Sequence, residues 1–308
     1  MELSNLTEAL NQWPIELFPE RSIITTEELR GSYPGRSVVA CDFHVQEIHL
    51  GEAVTGGYQR DGVLNVDHHA PTERMARQIS SANLALVHVR RHGPVGAESA
   101  VVINHVDCDS VLSSGIMRGL LPPDERFGDA ALAADHTGAE DEIADLLQTI
   151  SDLRDLSFSL RNLERLLQGE PLETEAVRLL QCRQEARALV RDMVTRGSFQ
   201  QVGGVAFAVL REKVDGGLLP SLFPDAMLLM IAAPAMLDSE RWEMRVRLGL
   251  AAPPGLKLTD LGIGAFDPNF GGRWNAGANA RGGGVAIHPD QYACLLAERL
   301  QSHLTAQA

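Results

Sequence analysis

Short apolar runs alternate with helical patterns over the first half of the chain. Three runs are short enough to be buried strands and cover 37–41, 63–66 and 100–104. Helical patterns cover 72–91, 110–119 and 128–135. Strands that alternate with helices predict an α/β layer fold with a mainly parallel sheet flanked by helices.

The remaining segments have different patterns. Residues 1–36 predict a lead-in with one or two helices, and 139–198 repeat leucines at helical spacing between charged residues. We interpret the second segment as a helical connector, with a partner or homodimer helix as the alternative. The last third predicts strands at 202–210, 227–232 and 242–250, a glycine-rich segment at 270–284 and a helix from about 289. We therefore predict an α/β domain at 1–138, the connector at 139–198 and a second, smaller α/β domain at 199–308.

Composition and charge narrow the class of protein. A chain of 308 residues with 44% hydrophobic and 22% charged residues can form two globular cores. We expect no membrane span, because the longest apolar stretch, 226–237, is shorter than the roughly 20 residues that a span needs. The net charge of -14 argues against binding to long nucleic acid. Four cysteines without CxxC pairing, together with an N-terminus unlike a secretory signal, predict a reducing, cytoplasmic compartment.

Acidic and histidine clusters follow the three predicted strands and one alanine-rich helix. Their chemistry-bearing members are Asp42, then Asp67, His68 and His69, then His105, Asp107 and Asp109, and finally Asp135. The carboxyl ends of parallel strands meet at one edge of a sheet, so we expect these side chains to converge there. Carboxylate oxygen favours hard divalent cations, and added imidazole shifts the choice towards manganese, iron or zinc.

The clusters hold enough ligands for two metal ions. Two metals about 3.5–4 Å apart need a bridging ligand and further protein ligands on each ion. If 105–109 is an extended chain, its alternate residues His105, Asp107 and Asp109 project to the same side. The predicted metal ligands are Asp42, His68, His105, Asp107, Asp109 and Asp135.

These motifs resemble those of the DHH phosphoesterase superfamily, which includes single-strand exonucleases, nanoRNases, cyclic-dinucleotide phosphodiesterases, polyphosphatases and manganese pyrophosphatases. The naming motif stands here as Asp67-His68-His69, and the family's His-x-Asp-x-Asp motif runs from His105 to Asp109. Asp42 matches a strand-terminal aspartate, and Asp135 matches the last motif. The resemblance covers roughly 37–138 for a catalytic domain, with a weaker match over about 200–300 to the associated substrate-binding domain.

The order of the motifs departs from the family's usual order. Here the His-x-Asp-x-Asp segment follows the Asp-His-His segment instead of preceding it. A site at strand ends depends on positions in the sheet rather than on order along the chain, so a rearranged order can preserve the site.

The resemblance assigns roles to these residues. Asp42 would bridge two ions, His105 and Asp107 would hold one, and Asp109, His68 and Asp135 the other. The predicted catalytic residues are His69 and Asp67 of the naming motif, of which His69 would contact the substrate phosphate and could donate a proton to the leaving oxygen. His44 and His136 lie near proposed ligands and are interpreted either as partners that orient a carboxylate or as surface residues.

The glycine-rich segment is the candidate substrate site of the last domain. Its glycines would let backbone N–H groups approach an anion, and Arg273 and Arg281 could clamp a phosphate. Asn275 occupies roughly the place of the family's histidine, and Trp274 could stack on a base. The predicted substrate-binding residues are Arg273, Asn275, Arg281, Gly282 and Gly283. The alternative is a tight glycine-rich turn with exposed arginines; Arg247 is interpreted either as the family's strand arginine or as an exposed strand residue.

The function that follows from these expectations is two-metal phosphohydrolysis with two Mn²⁺ ions, or Mg²⁺ as the alternative. The expected partner is a small phosphorylated substrate: a short oligonucleotide, a dinucleotide or a nucleotide phosphate, cleaved at a phosphodiester or phosphomonoester bond. One alternative is a pyrophosphatase or exopolyphosphatase. A second is a non-catalytic nucleotide-sensing protein, for which the changed motif order and glycine segment are the support.

Overall fold

The structure is a computed structural model that describes residues 6–12, 14–21, 23–69, 79–211, 214–236, 238 and 240–307. The chain divides into two compact units. The first comprises Met1–Asp135 and Glu140–Arg183, and the second comprises His136–Ala139 and Gln184–Ala308. The predicted boundaries at 138 and 198 stay predictions.

The first unit contains a six-stranded sheet among its described residues. Its strands are β1 (Ile15–Leu17), β2 (Ser37–Cys41), β3 (Glu52–Val54), β4 (Gly57–Arg60), β5 (Val63–Val66) and β6 (Ser99–Ile103). Their order is β1-β6-β2-β5-β4-β3, with β1, β6, β2 and β5 parallel and β4 and β3 antiparallel. Every residue of β6 is buried, as expected for a central parallel strand covered on both faces. The predicted α/β fold with a mainly parallel sheet is confirmed.

Eight α-helices alternate with these strands or follow them along the described part of the chain. They are α1 (Leu6–Gln12), α2 (Thr26–Ser32), α3 (Ser81–His92), α4 (Cys108–Arg118), α5 (Glu125–Leu132), α6 (Glu142–Ile150), α7 (Leu156–Gln168) and α8 (Thr174–Thr195). Local sequence sets several of their starts, because Thr25, Ser80 and Asp107 each cap a helix with a side-chain oxygen in a reciprocal capping box. Helix α8 continues from the first unit into the second.

Some predicted elements have different limits. The pattern at 72–91 corresponds to α3 from Ser81 onward, and 70–78 lie outside the described residues. The helix predicted at 128–135 ends at Leu132 and is followed by a π-helical turn, Ala133–Thr137. Strands β1, β3 and β4 were not predicted, because β1 and β3 have only three residues each and β4, Gly57–Arg60, contains no apolar run.

The second unit is built on another six-stranded sheet, counted over its described residues. Its strands are β7 (Gln200–Val202), β8 (Val205–Val209), β9 (Leu228–Pro234), β10 (Trp242–Leu248), β11 (Gly271–Gly272) and β12 (Ala276–Ala278). The order is β11-β12-β10-β9-β8-β7, and β8 and β9 form its parallel pair. Helix α9 (Pro289–Gln307) packs on one face, where Tyr292 and Leu296 join Phe207, Met230 and Met244 in a buried core.

The strand predicted at 202–210 starts too early, because β8 covers Val205–Val209 and Val202 is the last residue of its antiparallel neighbour β7. The turn between them is Gly203–Gly204, with φ angles of +49° and +84°. Residues with side chains rarely adopt these angles, so the glycine pair is what lets the chain reverse. Within the described part of the chain, no helix combines the length and apolarity that crossing a membrane requires.

A buried arginine ties the start of the first sheet together. Arg118, at the end of α4, is 5% exposed and donates hydrogen bonds to the carbonyl oxygens of Pro14, Gly96 and Ser99 at 3.0–3.1 Å. These carbonyls flank β1 and β6, so one side chain connects two strands to the helix that covers them.

We expect Arg118→Met to lower the free energy of unfolding by about 2–4 kcal/mol, because it leaves the carbonyls of Pro14 and Gly96 without their charged donor and the carbonyl of Ser99 with Arg36 alone. Urea unfolding followed by circular dichroism measures this change. Arg126→Met is the matched control: Arg126 is 44% exposed, and its ion pair with Asp124 is worth under about 1 kcal/mol. Equal effects of the two substitutions would contradict the role of Arg118.

Candidate metal centre

Three neighbouring parallel strands end at the same edge of the first sheet. Strand β2 lies between β6 and β5, and all three run in the same direction. Asp42 follows β2, Asp67 follows β5, and Asn104 and His105 follow β6. The predicted clusters on these strands therefore meet, although their order in the sheet differs from their order in the sequence.

The first group of possible metal ligands is Asp42, His105 and Asp107, whose ligand atoms lie within 4.8 Å of one another. Nε2 of His105 is 3.2 Å from Oδ2 of Asp42 and 3.2 Å from Oδ2 of Asp107. The other ring nitrogen, Nδ1, lies 2.6 Å from Oδ1 of Asn104. The amide oxygen can only accept, so Nδ1 carries a proton, and Nε2 is the ring nitrogen that faces the carboxylates. Burial alone would lower the pKa of His105, but the hydrogen bond to Asp107 and the charges of the nearby carboxylates raise it.

The second group is His68, Asp109 and Asp135, again within 4.8 Å. Nε2 of His68 is 3.6 Å from Oδ2 of Asp109 and 3.5 Å from Oδ2 of Asp135. Asp135 lies in the π-helical turn after α5, a geometry that often occurs at functional sites. Thus all six predicted ligands fall into two adjacent groups.

Asp42 connects the two groups. Its Oδ2 faces His105, while its Oδ1 is 3.6 Å from Nε2 of His68 and 3.8 Å from Nδ1 of His69. A third set of ligand atoms, on Asp42, His68 and His69, also lies within 4.8 Å. Asp42 is thus placed to present one oxygen to each group.

The extended chain predicted for 105–109 is wrong for its second half. Asp107 is the N-cap of α4, and Asp109 lies in the first helical turn. The helix begins here because Oδ1 of Asp107 accepts the N–H of Ser110 at 3.0 Å, while the Ser110 hydroxyl accepts the N–H of Asp107 at 2.8 Å. The turn separates Asp107 and Asp109 into different groups instead of placing them side by side.

Ser81 holds together ligands from both groups and was not predicted. Its hydroxyl donates to Oδ1 of Asp42 at 2.9 Å and accepts the backbone N–H of His68 at 3.2 Å. The two carboxylate oxygens of Asp109 accept the N–H groups of Ser81 and Ala82, both at 2.7 Å. Asp109 therefore lies at the positive N-terminal end of α3, which stabilises its buried negative charge.

The backbone at Asp42 is strained and is stabilised by a buried amide. Asp42 has a φ of +60°, a left-handed conformation that is uncommon outside glycine. The side chain of Asn65 donates to the carbonyls of Ala40 and Phe43 at 3.1 and 3.0 Å and accepts the N–H of Val45 at 3.4 Å. Asn65 thereby fixes the turn that aims the Asp42 carboxylate at the site.

Asp67 orients His69. Oδ1 of Asp67 lies 2.8 Å from Nδ1 of His69. Burial alone would raise the pKa of Asp67, but the charge and hydrogen bond of His69 hold it below its usual value. An ionised carboxylate can only accept, so Nδ1 of His69 carries the proton.

Several carboxylates of the site are buried close to one another, which shifts their pKa values. Burial first, and then the neighbouring carboxylates, raise the pKa of Asp42. Burial also raises the pKa of Asp109, although its two backbone hydrogen bonds oppose the shift. For Asp107 the hydrogen bond and charge of His105 outweigh burial and bring its pKa down to about 2. Burial lowers the pKa of His68 to about 4, which keeps its imidazole neutral near pH 7.

This donor set fits divalent cations. Carboxylates that repel one another in a buried site are stabilised when a cation lies between them, and a neutral imidazole offers a lone pair. The mixture of carboxylate oxygens with one imidazole in each group matches the preferences of manganese or iron more closely than those of calcium.

The predicted substrate-binding residues lie in the second unit. Arg273 is exposed in the β11–β12 hairpin, where its N–H donates to the carbonyl of Ala276 at 2.7 Å. The carbonyl of Asn275 accepts the N–H of Leu248 at 2.8 Å. Arg281 and Gly282 are exposed in a 3₁₀ turn that Gly283 ends with a φ of +79°.

Three further residues of the second unit had open interpretations. Trp274 is half-buried against the core, and its ring centroid lies 6.3 Å from that of His136, which is 6% exposed. Arg247 is half-buried on β10, opposite Ala276 on β12. His136 is therefore not a surface residue, whereas His44 in the first unit is exposed.

No protein-family model matches the sequence, and no curated protein matches it significantly. Among solved structures, a pGpG-specific phosphodiesterase, PggH, from Vibrio cholerae is similar with a TM-score of 0.42 and 11% identity, over 68% of this chain and 82% of that one. An exopolyphosphatase-related protein from Bacteroides fragilis has a TM-score of 0.36 and 11% identity, over 88% of this chain and 72% of that one. Neither similarity assigns this chain to a family.

We expect Ser81→Ala to weaken Mn²⁺ binding about 10- to 100-fold, because Asp42 loses the donor that orients it. Isothermal titration calorimetry of the metal-free protein measures the affinity. Ser113→Ala is the matched control, since its buried hydroxyl donates only to a helix carbonyl, that of Ser110 at 3.3 Å. An affinity equal to that of the control would show that Ser81 does not support the ligands.

We also expect Mn²⁺ to raise the thermal unfolding temperature, with a stabilisation of about 2.7 kcal/mol when the concentration of free Mn²⁺ is a hundred times its dissociation constant.

The pKa of Asp42 is raised in the folded state, so its ionised carboxylate destabilises the metal-free fold at neutral pH. Asp42→Asn should therefore unfold at a higher temperature than the wild type in a chelator and respond less to Mn²⁺. Scanning calorimetry with and without metal tests both effects, and an unchanged response to Mn²⁺ would rule out Asp42 as a shared ligand.

Proposed function

We propose that this protein is a phosphohydrolase that depends on two divalent cations and cleaves phosphodiester or phosphomonoester bonds of short oligonucleotides, dinucleotides or nucleotide phosphates. One observation carries the proposal: two three-residue ligand groups are joined through Asp42. A single metal site would not need a carboxylate with each oxygen facing a different group. The sequence resemblance to DHH phosphoesterases supports the same chemistry.

The ligand groups suggest which residues would hold each ion. His105 and Asp107 would bind one, His68, Asp109 and Asp135 the other, and Asp42 both. When bound, a pair of divalent cations lowers the pKa of water and offsets negative charge on phosphoryl oxygens. Manganese is our proposed ion, with magnesium as the alternative.

His69 is our proposed contact with the phosphate and proton donor to the leaving oxygen. Asp67 holds Nδ1 of His69 and fixes the orientation of the ring, and in this proposal Nε2 is the atom that carries the proton to the substrate. His69 is 24% exposed at its side chain, whereas Asp67 is 1% exposed. A substrate oxygen could therefore reach the histidine but not the carboxylate that orients it.

In the second unit, we propose that the glycine-rich segment binds the phosphorylated substrate. Arg273 and Arg281 are exposed guanidinium groups, which suit bidentate recognition of phosphate. Gly282 and Gly283, beside Arg281, have no side chains that would keep an anion away from that arginine, although their own N–H groups donate to the carbonyls of Asn279 and Ala280 at 3.0 and 3.1 Å.

We also propose a reducing, cytoplasmic compartment. The cysteines Cys41, Cys108, Cys182 and Cys294 are all free thiols. Cys41 and Cys108 are buried beside the carboxylates, and burial raises the pKa of both, which makes them unreactive.

The test is manganese-dependent hydrolysis of a panel: a short RNA, a linear dinucleotide, a cyclic dinucleotide, a 3′,5′-bisphosphonucleoside and pyrophosphate. We expect turnover of a nucleotide substrate, and we expect Asp107→Ala and His68→Ala each to lower kcat by about 10²–10³-fold or more. The matched controls are Asp129→Ala and His49→Ala, because both residues are exposed in the same unit and belong to none of the ligand groups.

Turnover of pyrophosphate alone would replace the proposal with a phosphoanhydride hydrolase. No turnover and no bound manganese would overturn the enzymatic proposal and favour a nucleotide-sensing protein.

A further inference from the structure

A fully buried carboxylate lies at the base of the glycine-rich segment. Asp267 is 0% exposed. Its Oδ2 accepts hydrogen bonds from the hydroxyl of Tyr292 at 2.9 Å and from Nδ2 of Asn279 at 2.8 Å. Its Oδ1 accepts the backbone N–H of Asn269 at 3.2 Å. The metal centre and the proposed mechanism use none of these residues.

These bonds close the glycine-rich segment into a loop. Asn279 lies near the end of the segment and pairs with β10. Its side-chain Oδ1 accepts the backbone N–H of Met244 at 2.7 Å, and its backbone N–H donates to the Met244 carbonyl at 3.1 Å. Just before the segment, the side chain of Asn269 donates to the carbonyl of Gly284 at 2.9 Å. The Asp267–Asn279 bond therefore joins the two ends of the β11–β12 hairpin.

Tyr292 fixes this junction to the core. It is 0% exposed on α9, and the ring of Phe266 packs edge-on against it at 5.0 Å. Burial raises the pKa of Tyr292, so its hydroxyl keeps the proton that it donates to Asp267. Helix α9 packs along the sheet of the same unit, which gives the hairpin base a rigid support.

Close packing at the base leaves the loop little freedom. A Cβ atom at Gly282 would lie 2.5 Å from Cβ of Asn269, and one at Gly284 would lie 2.6 Å from the carbonyl oxygen of Trp242. Arg241 donates to the carbonyl of Gly283 at 2.7 Å. The exposed residues of the segment are thus attached to a base that packs against Asn269 and Trp242 and is hydrogen-bonded by Arg241.

We propose that Asp267 is a positioning residue for substrate: through Asn279 and Tyr292 it holds the β11–β12 hairpin in the one conformation that presents Arg273 and Asn275 to a phosphorylated substrate. The proposal rests on the substrate-binding role proposed for this segment. Its physical basis is preorganisation, since groups ordered during folding need not be ordered again on binding. A merely structural Asp267 would affect stability and leave substrate binding unchanged.

Asp267→Asn tests the proposal, because it keeps the shape of the side chain and turns one acceptor oxygen into a donor that faces other donors. With a 5′-phosphorylated dinucleotide we expect KM to rise about 10- to 100-fold and kcat to stay near that of the wild type. Tyr292→Phe removes a single donor and should raise KM less. Mn²⁺ affinity should not change in either variant, because the metal ligands lie in the first unit.

Asp260→Asn is the matched control, because Asp260 is an exposed aspartate of the same unit whose side chain accepts a hydrogen bond from the neighbouring Thr259 hydroxyl at 3.4 Å. All assays are run below the unfolding temperature of each variant. A lower unfolding temperature with unchanged KM in both variants would overturn the proposal. If Asp267→Asn does not fold, Tyr292→Phe decides the question by the same comparison.

Failure of this inference can be distinguished from failure of the proposed function. If the wild type hydrolyses no substrate, the proposed function fails, and calorimetric binding of a nucleoside monophosphate then tests the positioning role. Weaker binding by Asp267→Asn than by Asp260→Asn supports it. Equal dissociation constants, or no binding by the wild type, overturn it.

Discussion

The first unit depends on the burial of mutually repelling carboxylates at the end of its parallel sheet. Asp42 and Asp109 are 1% and 0% exposed. Burial, and after it the charge of neighbouring carboxylates, raises the pKa of both. Such charges are costly away from water unless dipoles, hydrogen bonds or cations compensate them. The N-terminal end of α3 and the hydroxyl of Ser81 provide part of that compensation. The negative charge that these groups do not compensate is the strongest physical reason to expect bound cations.

Sheet topology explains how a rearranged motif order still forms one site. Strand β2 pairs with β5 on one side and with β6 on the other, although β6 comes last of the three in the chain. Each strand delivers its polar residues at its own carboxyl end, and hydrogen bonding between strands decides which ends are adjacent. The sequence order of the motifs is therefore a weaker constraint than the pairing of the strands that carry them.

The two units use buried polar groups in the same physical way. In the first, Asn65 and Ser81 fix the positions of ligand side chains. In the second, Asp267 joins the two ends of an exposed hairpin. In both cases a buried group with several hydrogen bonds determines where an accessible group points. This arrangement favours binding because the accessible groups are ordered before a ligand arrives.

The sequence by itself determined the class of fold and the chemistry of the clusters. Alternating apolar runs located β2, β5 and β6 to within a residue. The residues that follow these strands, together with Asp135 after an alanine-rich helix, supplied all members of both ligand groups. Short-range signals also set helix starts, as at Thr25 and Asp107. These features depend on local pattern, so no knowledge of the fold was needed.

Tertiary structure decided the rest. The Ser80–Asn83 capping box marks the start of α3, but only packing of that helix start against α4 and β2 brings Ser81 to Asp42 and Asp109. Asp267 has no local pattern that connects it to Asn279 or to Tyr292, which is 25 residues away. The division of Asp107 and Asp109 between two groups likewise required the helical turn at α4. Contacts between residues distant in sequence depend on how elements pack, and periodicity along the chain does not encode that packing.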